Sequence, residues 1–220
     1  MKRVYILCEG QAEERFVKEI LSSRFQSLEI FLVPVILTTK RISSGAKYRG
    51  GVSTYSKIAR ELRTLCLDRD AMVSSMLDYY RLPADTPCMQ SRTGNLYSDV
   101  KRIEEAIRED VGASNLHVNL MVHEYESLLF SAPECFAAIT DEAAVKQLCE
   151  IASRFPTPEE INSSVETAPS KRILHAIPTY KKVLDGITVA SAIGLDRMIA
   201  VCPHFAGWIE WIRMSGSGDQ

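Results

Sequence analysis

Apolar positions along this chain follow two rhythms. Continuous short runs occur at residues 3–8 (RVYILC), 29–37 (EIFLVPVIL), 71–77 (AMVSSML) and 116–122 (NLHVNLM), the length and character of buried strands. Between them apolar side chains recur at helical spacing. Phe16, Val17, Ile20, Leu21 and Phe25 do so through 12–25, and Ile58, Leu62 and Leu65 through a segment that Ser53 can cap and that ends near Leu67. A third helix is expected at about 95–109. Strands alternating with helices predict an α/β fold: a mostly parallel sheet, helices on both faces, right-handed crossovers. Pro34 lacks a backbone donor, which assigns the second strand to an edge or a bulge.

Beyond Ser131 the rhythm is helical only. Segments 141–155, 157–164, 170–185 and 195–214 carry it, punctuated by Pro156, Pro158, Pro169, Pro178 and Pro203. The expected organisation is an α/β core over 1–131, a helical C-terminal subdomain over 132–214 and a flexible tail at 215–220.

Composition narrows the function. With 220 residues, 46% of them hydrophobic, the chain has material for a sizeable core. The 26 basic and 28 acidic side chains leave a net charge of -2, so the molecule as a whole is not built to coat nucleic acid or an anionic membrane. Such a contact has to be local, and residues 38–51 (TTKRISSGAKYRGG) offer one: Lys40, Arg41, Lys47 and Arg49 without an acid, either a solvated loop or a segment that follows phosphates. Tyr48, Tyr79 and Tyr80 are candidates for stacking on bases, or core-edge residues. Six cysteines without a C-x-x-C pair point to reduced thiols and a cytoplasmic setting. The apolar run in MKRVYILCEG is too short for a signal peptide, and no segment approaches the roughly 18–20 apolar residues of a membrane span.

In open parallel sheets, sites gather beyond the carboxyl ends of the strands. Here those ends are acidic. Glu9 follows the first strand, Asp78 the third, and Glu124 and Glu126 the fourth, while Glu13 lies one turn into the first helix. Two such carboxylates about 4 Å apart repel by roughly 4 kcal/mol at an effective dielectric of about 20. A cation relieves that, and hard oxygen ligands suit Mg2+ or Mn2+. Ordinary roles stay open for each acid: a turn, a helix N-terminus, a cap. If the fourth strand runs far enough, Glu124 and Glu126 share a face and His123 points elsewhere, as a structural histidine or a proton carrier. Gly10 lacks the partners of a dinucleotide or P-loop motif, and no G-x-S-x-G occurs.

CEGQAEERF after a first strand resembles the EG-x-x-E opening of TOPRIM-like domains, the fold of topoisomerases, primases and OLD-family nucleases. CEGQAEE, MLDYYRLP, VHEYESLLF, FPTPEEIN, PSKRI and CPHFAGW, in this order, resemble the bacterial family called domain of unknown function 4276, over essentially the whole chain. The resemblance implies a TOPRIM-like core in which Glu9 matches the acid–base glutamate and Asp78 the first aspartate of a D-x-D metal motif. Tyr80 stands where the second aspartate belongs, so either Glu124 and Glu126, with Glu13, complete a Mg2+ or Mn2+ site or metal binding is weakened. His123 and Tyr80 are possible supporting residues.

Two functions are therefore expected. One is a metal-dependent nuclease, with Lys40, Arg41, Lys47 and Arg49 on the nucleic acid and a place in anti-phage or mobile-element defence. The other is a non-catalytic partner of an ATPase, in which Phe205, Trp208 and Trp211 offer a docking surface or fill the core.

Overall fold

The computed structural model describes residues 2–37, 54–161 and 166–216. Its sheet is parallel throughout, in the order β2-β1-β3-β4, with β5 also paired to β3. The strands are β1 (Lys2–Cys8), β2 (Ile30–Ile36), β3 (Ala71–Asp78), β4 (Leu116–His117) and β5 (Leu120–Met121). Val4, Ile6, Leu7 and Cys8 of the inner strand β1 are fully buried. Both faces of that strand are covered, which is why its apolar run is continuous rather than alternating. Pro34 lies on β2, paired only to β1 at the edge of the sheet, where a missing donor is tolerated.

Helices α3 (Tyr55–Leu65) and α4 (Leu96–Val111) cover one face, with Ile58, Leu62, Ile103 and Ile107 in a cluster with Leu7 and Val73. Asn95 starts α4 by accepting the Ser98 N–H at 3.2 Å, and Gly112, at a φ of 69°, ends it in the left-handed region. The opposite face carries α1 (Gln11–Phe16) and α2 (Ser22–Gln26), joined by a π turn at Val17–Leu21. The helix expected at 12–25 is thus continuous but widened once. The Ser22 hydroxyl donates to the Val17 carbonyl at 2.8 Å, satisfying an acceptor at the wide turn.

The fourth strand is broken. Between β4 and β5 the Ser75 hydroxyl donates to the Asn119 carbonyl at 2.8 Å and accepts the Asn119 N–H at 3.1 Å, so a side chain replaces ladder bonds. Pairing stops at Met121, and His123 turns the chain at a φ of 67°. The shared strand face anticipated for Glu124 and Glu126 does not form; Tyr125–Ser131 is a 3-10 helix.

Proline also divides the later helices more finely than the apolar rhythm suggests. The segment 170–185 splits into α6 (Pro169–Ala176) and α7 (Lys182–Ile193) on either side of Pro178, and 195–214 into α8 (Leu195–Val201) and α9 (Pro203–Gly216). Helix α5 (Glu142–Ala152) matches its expected segment, while of 157–164 only a turn at Pro158–Glu160 is helical among the described residues. Ser215 and Gly216, expected in a tail, end α9; 217–220 lie outside the described residues.

These helices share one hydrophobic cluster with β1, α1 and α2. Phe205 and Trp208 are 1% and 2% exposed, Trp211 is partly buried and stacked on His117 at 4.4 Å, and the Trp208 indole N–H donates to Ser74 Oγ of β3 at 2.9 Å. Phe205 and Trp208 fill the core, and Trp208 and Trp211 tie α9 to β3 and β4. Among the described residues, no helix is long and apolar enough to cross a membrane. All six cysteines are free.

Candidate acidic site at the strand ends

Parallel register brings Cys8 level with Ile36 and Met76, so the chain leaves β1 and β3 at one edge of the sheet. Glu9 and Asp78 emerge there, and the Asp78 N–H points to Glu9 Oε2 at 3.4 Å. Helix α1 starts immediately and carries Glu13, 2% exposed, back over the same edge. The turn at His123 delivers the Tyr125 N–H to Asp78 Oδ1 at 3.1 Å and buries Glu126 completely.

The group at the centre is one the sequence motifs do not mark. Lys182, first residue of α7, places its Nζ 3.0 Å from Glu13 Oε1, 3.2 Å from Glu126 Oε2 and 3.9 Å from Asp78 Oδ2. A cation at a helix N-terminus opposes the helix dipole, so Lys182 needs nearby acids. That unfavourable position was the available sequence signal. Close packing sets it: a Cβ on Gly186, one turn along α7, would stand 3.0 Å from the Tyr180 hydroxyl and 3.5 Å from the Tyr125 ring. On the solvent side Arg81 Nη1 lies 3.9 Å from Glu9 Oε1.

Charge does not balance. Among the described residues, Glu9, Glu13, Asp78 and Glu126 meet only Lys182 and the partly exposed Arg81. Burial, with Lys182 opposing it and Glu9, Glu13 and Glu126 adding to it, holds the Asp78 carboxyl well above the ordinary range. Burial raises Glu9, helped by Glu13 and opposed by Lys182 and Arg81, and burial raises Glu126 against Lys182. Burial works against the charge on Lys182, but Glu126, Asp78 and Glu13 outweigh it and keep the ammonium protonated far above the ordinary lysine value. Both Glu126 oxygens and Glu13 Oε1 are buried, and Glu126 Oε2 and Glu13 Oε1 face the Lys182 ammonium.

The other expected residues fall elsewhere. Glu124 Oε2 accepts the Ser170 N–H at 2.9 Å, a capping contact near the start of α6. His123 is buried, its Nδ1 has no partner, and burial lowers its pKa to about 4, so it is neutral at physiological pH. Tyr79 is buried in the core beside α3 and α4, and Tyr80 is half-buried with its N–H on the His123 carbonyl at 3.1 Å. Lys40, Arg41, Lys47, Tyr48, Arg49 and Ser53 lie outside the described residues.

The donor chemistry suits a hard divalent cation: carboxylate oxygens only, in excess of the cations that meet them among the described residues. The arrangement does not hold one ready-made. Among the described residues no three Asp, Glu, His or Cys side chains form a metal-holding group, and the Lys182 ammonium stands between the acids.

A family model described as domain of unknown function (DUF4276) matches residues 8–213. The chain belongs to this family. The match contains Glu9, Glu13, Asp78, Glu126 and Lys182. Neither the curated proteins nor the solved structures contain a match to the chain.

Proposed function

We propose that the protein is a Mg2+- or Mn2+-dependent hydrolase of phosphodiesters in nucleic acid, built on a TOPRIM-like core. The observation that carries this reading is the surplus of carboxylate at the ends of β1 and β3, which one half-buried lysine does not neutralise. Asp78, Glu126 and Glu13 would hold the metal, which when bound supplies charge neutralisation and an activated water. Glu9, its carboxyl raised by burial, suits proton transfer. Arg81, at the open side, offers a guanidinium to a phosphate, and Lys182 a fixed positive charge. Lys40, Arg41, Lys47 and Arg49 would follow the strand. A cytoplasmic setting accords with six free thiols.

A second reading has its own support. Lys182 occupies the position between the acids, and Tyr80 replaces an expected ligand. Both favour a non-catalytic core that partners an ATPase. Incubating the purified chain with Mn2+ and labelled single- and double-stranded DNA and RNA separates the two. Cleavage abolished by chelation and by Glu9→Gln supports the hydrolase. Absence of cleavage of every substrate, with Mn2+ bound, favours the partner.

A further inference from the structure

Asp78 is followed by a 3-10 turn, Tyr79–Arg81, whose residues rise only about 2 Å each, so their side chains serve two neighbouring places. Arg81 turns to Glu9 and the acids. Tyr79, Tyr80 and Leu82 instead line a recess of about 600 Å³, completed by Met89, Gln90 and Arg92. This volume is in the range of small-ligand sites.

The lining is graded. Tyr79, Leu82 and Met89 are buried and make an apolar floor, half-buried Tyr80 offers a ring, and exposed Gln90 and Arg92 stand at the rim. Cys88, at a φ of 62°, makes the left-handed turn that puts Met89 on the floor and Gln90 on the rim. The bond from the Tyr80 N–H to the His123 carbonyl ties this wall to the turn that carries Glu126. A flat, apolar-faced heterocycle with polar edges fits such a lining: the amide both donates and accepts, the guanidinium donates, and an aromatic ring stacks on any base.

We propose that this recess binds the nucleobase adjoining the phosphate that Arg81 meets at the acidic site. The inference rests on the phosphodiester reading for what occupies the acidic site, but the recess is tested without catalysis.

The experiment is calorimetric titration of the full chain with adenosine 5′-monophosphate, ribose 5-phosphate and a single-stranded tetranucleotide, in the wild type and in Tyr80→Phe, Tyr80→Leu and Arg92→Ala. The base should tighten binding over ribose 5-phosphate by at least about tenfold. Tyr80→Phe should keep that advantage, and Tyr80→Leu and Arg92→Ala should each remove most of it. Arg92 is exposed, so its variant folds whatever happens at Tyr80. A tetranucleotide bound tighter than the mononucleotide supports the recess as a strand subsite; equal affinities support it as a free-nucleotide site. Equal binding of nucleotide and ribose 5-phosphate, or an undiminished base advantage in both Tyr80→Leu and Arg92→Ala, overturns the proposal. A parallel Mn2+ titration reads the acidic cluster, so failure there is distinguishable from failure of the recess.

Discussion

The Lys182 ammonium lies 3.2 Å from Glu126 Oε2, an oxygen that is wholly buried. One partner comes from the first turn of α7, the other from the 3-10 helix after β5, and Glu13 and Asp78 press on the same ammonium from α1 and β3. Four segments of the chain thus converge on one positive charge. That charge is what the account depends on, because without it Glu13, Asp78 and Glu126 lose the cation they share among the described residues.

Lys182→Met should destabilise the protein. Breaking a buried ion pair by removing one partner costs about 3–5 kcal/mol, and the 35% of the Lys182 side chain open to solvent brings the expectation down to about 2–3 kcal/mol at neutral pH. Urea unfolding measures it. Acidification, or millimolar Mn2+, should restore part of the loss; a variant as stable as the parent at pH 7 would remove the lysine from its central role.

Stability should depend on pH in a definite direction. Asp78, Glu9 and Glu126 have raised pKa values in the folded chain, so the folded state retains protons that the unfolded state has lost. Their contribution is complete below the ordinary carboxylate range and declines as pH rises through the raised values. Lys182, held protonated above the ordinary lysine value of 10.5, keeps its contribution until the pH exceeds that value. Urea midpoints measured upward from pH 4.5, the ordinary glutamate value, should fall less in Glu126→Gln than in the parent. Parallel profiles would show that Glu126 titrates normally.

Glu9→Gln should lower nucleic-acid cleavage by about 10²–10⁴-fold, the usual scale of acid–base catalysis, while leaving the melting temperature within a few degrees. Glu9 is the acid nearest the open side, and its one backbone contact, from Asp78, is long at 3.4 Å. Single-turnover cleavage at saturating Mn2+ measures the effect. An active variant would assign the proton transfer elsewhere.

Glu159 caps α9, accepting the His204 N–H at 3.0 Å and the Phe205 N–H at 2.8 Å. Glu159→Ala should cost about 1–2 kcal/mol, since it removes a cap and leaves one buried and one partly buried donor unpaired. Thermal unfolding measures the loss. A change under about 0.5 kcal/mol, the size typical of surface substitutions, would mean that water replaces the carboxylate.

Much of this architecture was legible in the sequence, for physical reasons. Continuous apolar runs mark strands covered on both faces, as β1 and β3 are, and Pro34 marks the edge. The pairing of FPTPEEIN with CPHFAGW, through Glu159 and the start of α9, was not legible, because a capping contact between distant segments leaves no periodic trace. Glu9 and Asp78 could be named from their place after strands, and the structure brings them together with Glu13 and Glu126. Glu124 could not be told from Glu126, because that needed the positive φ of His123 and the end of pairing at Met121. Lys182 was hidden for the opposite reason. A lysine is unremarkable in composition, and only its place at the start of an apolar helix, against the dipole, sets it apart.

The most direct test of the central claim is calorimetric titration of Mn2+ into the parent, Asp78→Asn and Lys182→Met, repeated in buffers of different ionisation enthalpy. The account predicts binding at micromolar to low millimolar concentration with release of protons from the raised carboxyls, weaker binding in Asp78→Asn and tighter binding in Lys182→Met. No binding in the parent and none in Lys182→Met would contradict it, and would leave the lysine as the permanent counterion of a site that takes no metal.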